Sequence, residues 1–399
     1  MRMWFLLRCL ASVLLLILAG AVHAQSAPVP ILIGIDAEFG VTGSTSAQAI
    51  RLGAQIAADE LNASGGLLGG RPLMLVEKDN RSVPARSIRN LREFAADPRV
   101  VAVLTGKFSP VVVEALPVIH ELKLPLLDPW AAADPITDHP YKPSYVFRLS
   151  LRDSWALQVM IDAAARADRQ RIGLLLPNTE WGRSSQRAAQ AVVQARSAVQ
   201  LAGVQWYNWG EASMLEKYQA LRVAGADAII LVANDREGAL LVREVAALPA
   251  EQRLPIFSHW GITGGTFFEN TGAAVLAAVD FSVVQTYSFL DARDPVALHV
   301  IAAIRQRGID VPRRIEAPVG VAQAYDLVWI LARAIDRAGS IERAAVRDAL
   351  EQVNDYRGLI RYYARPFAPD RHEALALEDV FMARYAADGA IERIGTVLH

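Results

Sequence analysis

The side chains best suited to chemistry stand at the ends of short apolar runs. Lys107 and Ser109 follow VVAVLTG at 100–106. Ser109-Pro110 reads as a helix start, because serine suits the N-cap and proline suits the first helical position, where its missing N–H is not needed. Exposed N–H groups and the helix dipole favour a carboxylate there, with the lysine ammonium close by; the bland alternative is a capped helix and nothing more. Asp128, Trp130 and Ala131 follow the apolar run 124–127. Asp128 accepts either from a ligand amine or from backbone donors, and Trp130 either stacks on a ligand or packs between loops. Trp181 stands in PNTEWG at 177–182, Trp260 in HWG at 259–261, and Asn234 and Asp235 just after the run 228–232. The last two read as polar contacts or as a solvated turn that caps the next helix. With Phe39 from the loop that also holds Thr42 and Ser44, the three tryptophans would line a crevice suited to a flat aromatic, heteroaromatic or cationic solute.

Enzyme chemistry finds no footing. No GxGxxG follows the first strand directly, and neither a P-loop lysine-serine pair nor a GxSxG elbow is present. His120, His139, His259, His299, His372 and His399 are scattered without metal-ligand spacing, so neither a metal nor a cofactor is expected.

The elements that must carry these residues alternate between strand and helix. At 31–80, Ile31, Leu32, Ile33 and Ile35 make a buried strand, and 40–46 supply turn residues. Ile50, Ala54, Ala57, Ala58 and Leu61 recur at helical spacing; Asn62, Gly65 and Gly66 then stop the helix before Leu73, Leu75 and Val76 begin a second strand. Such a crossover joins parallel strands and puts the loop 39–46 at the carboxyl edge of the sheet, where open α/β folds bind ligands. Helices are expected at 85–96, after Ser109, at 155–167 and at 240–248, and strands at 100–106, 124–127, 145–149, 171–176, 204–209, 228–232 and 256–258. This alternation predicts α/β architecture with doubly wound parallel sheets.

Two stretches carry a family resemblance: ADELNASGGLLGGRPLMLVEKDN, ending at Asn80, and AQAYDLVWILARAIDRA at 322–338 with GSIERAAVRDAL after it. They resemble periplasmic solute-binding proteins of type I, which serve branched-chain amino acid and amide ABC importers. The resemblance implies two doubly wound parallel-sheet lobes joined by a multi-crossing hinge. Lobe 1 is expected at 28–148 and 284–357 and lobe 2 at 149–283 and 358–399, with 279–284 carrying the chain back to lobe 1. It also implies a small-molecule ligand, permease and ATPase subunits as partners, a monomer, and no enzymatic activity. In similar amino-acid binders a hydroxyl run follows the third strand; only Ser109 keeps that place. Trp130 and Ala132 replace a small residue and a threonine, Trp181 matches an aromatic ligand contact, and Trp260 falls where several relatives carry the acid that pairs with an ammonium. These departures point toward an aromatic or planar carboxylate or amide. A sensory module reporting to a receptor or kinase is the alternative role.

Composition agrees with an exported binder. Arg2, Arg8, the apolar run 10–20 and Val22-His23-Ala24 read as a signal peptide over 1–24, with the mature chain beginning near Gln25 in the periplasm. Cleavage would remove Cys9, the only cysteine, and change the formal charge from −1 to −3. Disulfides and thiol catalysis are then excluded, and no concentrated basic surface suggests nucleic acid.

Overall fold

The computed structural model describes residues 28–196, 198–310 and 312–395; the expected signal peptide at 1–24 lies outside them. Two open sheets form two lobes. The first holds β1 (Ile31–Ala37), β2 (Leu73–Asp79), β3 (Val100–Thr105), β4 (Leu126–Asp128) and β5 (Val146–Arg148), in the order β2-β1-β3-β4-β5 and parallel throughout. Every residue of β1 and β3 is buried, as expected of parallel strands covered by helices on both faces. The second holds β6 (Arg171–Pro177), β7 (Gln200–Tyr207), β8 (Ala228–Leu231), β9 (Ile256–Ser258) and β10 (Phe281–Gln285). After the small hairpin β11 (Tyr356–Arg357) and β12 (Tyr362–Tyr363), β13 (Phe381–Tyr385) and β14 (Ile391–Arg393) complete the second sheet as antiparallel edge strands, in the order β14-β13-β10-β9-β8-β6-β7.

In each sheet the chain first steps one way and then the other, from β1 to β2 and across to β3, and from β6 to β7 and across to β8. The loops after β1, β3, β6 and β8 therefore gather at a topological switch point in each lobe, the usual position of a ligand crevice.

The stretch 279–284 does not leave the second lobe, as the sequence reading had it. It forms β10, which pairs with β9 on one side and β13 on the other, so the chain crosses back only after Gln285. An apolar strand flanked by loops looks alike on either side of a crossing, because its partners are distant in sequence. Returning to the first lobe, the Pro318–Ala338 helix packs along the Ser46–Ala63 helix. A Cβ on Gly53 would fall 2.0 Å from the Val321 carbonyl oxygen, so the two helices meet backbone to backbone there. Asp326 of the long helix accepts from Leu359 N at 2.6 Å, Ile360 N at 3.0 Å and Tyr363 OH at 2.8 Å, and so anchors the β11–β12 hairpin.

The two lobes are tied beside β5. Its Arg148 donates a backbone bond to His372 O at 2.8 Å and accepts one from Ala374 N at 2.9 Å. The Arg148 guanidinium, fully buried, donates to Ala133 O at 2.9 Å and Glu373 Oε1 at 3.1 Å, and also to Thr137 Oγ1. Arg152, at the entry to the Asp153–Arg166 helix, adds Asp134 at 2.9 Å and Glu373 at 3.4 Å.

Candidate functional site

Lys107, just past β3, reaches from the first lobe to the second. Its Nζ donates to Gly264 O at 2.7 Å and lies 3.4 Å from Asp235 Oδ1; its side chain is 2% exposed. A buried ammonium needs such partners, since an unpaired one would cost several kcal/mol. Thr45 N donates to the same Gly264 carbonyl at 3.1 Å, and Ser44 pairs with Gly265. The loop after β9 is thereby seated on the first lobe.

Beside this contact Trp130 meets Trp260, with ring centroids 5.5 Å apart, planes tilted by 42° and each residue 1% exposed. Small residues make room for them: Cβ atoms on Gly264 and Gly320 would come 3.2 and 2.8 Å from the Trp130 ring. The two indoles fill the space between the strand ends with protein.

The polar residues around Trp130 shape its loop. Asp128 Oδ1 accepts from Trp130 N at 3.0 Å and Ala131 N at 2.8 Å, while Oδ2 has no hydrogen-bond partner among the described residues. Burial raises its pKa to about 6, against the opposing pull of Arg148 and those N–H bonds. Ser109 is the first residue of the Ser109–Glu121 helix, with Phe108 at the N-cap, so it is not the capping residue the sequence suggested. Its Oγ instead accepts from Ala132 N at 3.1 Å and Ala133 N at 3.2 Å. Glu38, just past β1, accepts from Ser44, Ser46 and Lys107 N.

Trp181 packs beside the Trp130–Trp260 pair, since a Cβ on Gly261, next to Trp260, would fall 2.4 Å from its ring. Its Nε1 donates to Asp153 Oδ1 at 3.1 Å, its ring stands edge-on to His259 at 5.0 Å, and His259 Nε2 lies 3.1 Å from the same carboxylate oxygen. Asp153 N in turn donates to Ala132 O at 2.8 Å, which joins this cluster to the Trp130 loop. Asn234 is the N-cap residue of the Asp235–Ala246 helix without a side-chain capping bond, and Phe39 packs half-buried on the main core.

Of the residues chosen from sequence, the structure therefore brings Lys107, Trp130, Asp235 and Trp260 together across the lobes. Ser109, Asp128 and Ala131 sit in or under the Trp130 loop, and Trp181 packs on Gly261 in contact with Asp153 and His259. Glu38, Asp153 and Gly264 were not picked out. Glu38 stands between the first apolar run and the loop 39–46, a signal that could have found it. Gly264 acts through its carbonyl and its missing side chain, which no spacing reveals. Among the described residues no group of three or more metal-ligating side chains converges.

Residues 31–390 match the family described as periplasmic binding protein. The chain belongs to the periplasmic binding protein family. The Leu/Ile/Val-binding protein homolog 3 of Brucella melitensis is 24% identical over 343 residues, spanning 82% of this chain and 84% of that one. A type 1 periplasmic binding protein from Bordetella pertussis superposes with a TM-score of 0.81 at 20% identity, over 91% of this chain and 99% of its own. The isoleucine-bound substrate-binding protein LivJ of Streptococcus pneumoniae gives 0.76 at 19%, over 92% and 99%. A benzoate-bound solute-binding protein from R. palustris gives 0.74 at 15%, over 92% and 96%. At such identities the likeness establishes the type I, two-lobed fold.

In this periplasmic binding protein the buried carboxyl of Asp128 makes a pH prediction. Its folded pKa is raised from 3.8 to about 6, so ionisation destabilises the folded state as pH rises through that window. Asp128→Asn, which keeps an acceptor for Trp130 N and Ala131 N, should stabilise the chain by roughly 2–3 kcal/mol above pH 7. Below pH 3.8 the carboxyl is neutral in both states and the advantage should vanish. Urea unfolding of both proteins across pH 3.5–8 checks this; a constant difference at every pH would show that the carboxyl is not the source.

Proposed function

We propose that the chain is the exported substrate-binding subunit of an ABC importer, which captures a small organic solute by closing its two lobes and presents the closed shape to permease and ATPase subunits. The observation that carries this reading is the match to a solute-binding family along almost the whole chain, on a fold whose strand-end loops meet across the lobes at Lys107, Asp235 and Gly264. A solute favours closure only by as much as it binds the closed form better than the open one. The lobes follow the two sheets, with crossings near 148–153, 285–295 and 350–380. Closure would then be a hinge rotation.

The solute class follows from the indoles. The LivJ relative was solved with isoleucine and the R. palustris relative with benzoate. Here Trp130 and Trp260 replace the small residue and the acid expected of an amino-acid site, and this departure favours an aromatic or planar carboxylate or amide. Thermal shifts of the chain from Gln25 against aliphatic amino acids, aromatic acids, amides and quaternary amines test the reading. At a hundredfold excess over Kd, binding adds about 2.7 kcal/mol, enough to move the melting point by several degrees. Shifts with aromatic acids or amides are expected. A shift only with leucine or valine would overturn the solute class, and no shift with any solute would remove the binding role. Any bound compound should be recovered unaltered.

A further inference from the structure

The loop of the second lobe that receives Lys107 is shaped for its side chain. Gly264 and Gly265 stand side by side after β9, and neither has the left-handed backbone that would call for glycine. Space calls for it instead. A Cβ on Gly264 would fall 2.9 Å from Lys107 Cδ, and a Cβ on Gly265 would fall 2.2 Å from Asp235 Cγ. One glycine therefore clears the lysine stem, and the other clears the carboxylate that meets its ammonium. Asp235 opens the Asp235–Ala246 helix, where the dipole favours its charge.

Other contacts close the same seam. Phe108, next to Lys107 in the first lobe, meets Trp209, just past β7 in the second, edge to face with ring centroids 5.5 Å apart. The Lys107 ammonium lies 5.3 Å from the centre of the Phe108 ring. Asp134 N of the first lobe donates to Ser184 Oγ of the second at 3.0 Å. Opening the lobes would separate these pairs, and Trp130 from Trp260, and would turn their apolar faces to water. It would also draw Lys107 away from Gly264 O and Asp235. Every one of these attractions comes from the chain itself. The loop they hold supplies Thr263, Gly265 and Thr266 to a cavity of about 410 Å³ between the lobes, so the seam fixes one wall of that cavity.

We propose that Lys107 is a built-in closing charge: by pairing with Asp235 and the Gly264 carbonyl, it makes the closed form the resting form of the solute-free chain. The inference goes beyond solute capture and holds whatever the solute is. A solute enters through transient opening, and its preference for the closed form adds to a bias already present. An ammonium on the solute would have to compete with Lys107 for Asp235.

The test measures the distance between the lobes. The chain from Gln25 contains no cysteine, so spin labels can be placed at Ala85→Cys in the first lobe and Ala212→Cys in the second, both exposed. Pulsed dipolar spectroscopy of this solute-free protein is expected to give one short-distance population. Lys107→Met keeps the stem, removes the charge and should raise the ratio of long to short distances by roughly tenfold or more. Gly265→Ala keeps both charges, crowds Asp235 and should move the ratio the same way. Adding Asp235→Asn to Lys107→Met should bring the ratio back toward the wild type, since it removes the carboxylate left unpaired. Thermal melts check that the variants fold, and Gly265→Ala carries the test if Lys107→Met does not. A long-distance majority in the wild type, or an unchanged ratio in the folded variants, would overturn the proposal. The thermal-shift panel is read independently, so this proposal and the binding reading fail separately.

Discussion

Arg148→Met should lower the stability of the folded chain by about 3–5 kcal/mol, the usual loss when one partner of a buried charge network is removed. The methionine fills similar volume, so packing is nearly preserved and the loss isolates the donors. Ala133 O, Thr137 Oγ1 and Glu373 Oε1 would each lose a bond. Burial pushes the Glu373 carboxyl up, but Arg148, Thr137 and Arg152 outweigh it and hold the group below its ordinary range. The stability this gives is complete above pH 4.5 and is lost as pH falls through the depressed value. The gap between wild type and variant should therefore narrow in acid. Urea unfolding at pH 7.5 and pH 3.5 measures both quantities. A loss under 1 kcal/mol at neutral pH would mean that Arg152, 3.4 Å from the same oxygen, takes over the role.

Trp130→Ala and Trp260→Ala should each cost about 3–5 kcal/mol, as expected for truncating a fully buried aromatic side chain. The double variant is the informative one. Because one ring stands in the first lobe and the other in the second, their coupling in a double-mutant cycle measures interaction between lobes. A coupling of about 0.5–1.5 kcal/mol is expected for a tilted aromatic pair. Strict additivity would show that each indole packs only within its own lobe.

The first strand, helix and strand were plain in the sequence because Ile50, Ala54, Ala57, Ala58 and Leu61 mark a helix face and the glycines after Asn62 end it; the observed helix, Ser46–Ala63, follows that pattern. Sheet membership was less plain. β7 begins at Gln200, before the apolar stretch that suggested it, because pairing of Gln200 with Arg171 overrides the weak local signal of a polar start and a glycine. At the cleft, residue types were visible but their partners were not. Nothing local says that Trp130 will meet Trp260 or that Lys107 will find Gly264 and Asp235, since these contacts exist only once two sheets face one another. The cavity of about 410 Å³ lined by residues at 45, 263–272, 288–290, 312–318 and 385–391 was invisible for the same reason: its parts lie on five separated stretches, none with a motif.

The backbone contact between Gly53 and Val321 also sets a schedule for synthesis. The helix that covers the Ser46–Ala63 stripe is made roughly 270 residues after it, and at about 5–20 residues per second the ribosome needs roughly 15–50 s to supply it. The second lobe, nearly continuous in sequence up to β10, can close in that interval, while the first waits with its apolar stripe uncovered. For that time the nascent chain is vulnerable to aggregation, and one pair of helices decides when that condition ends.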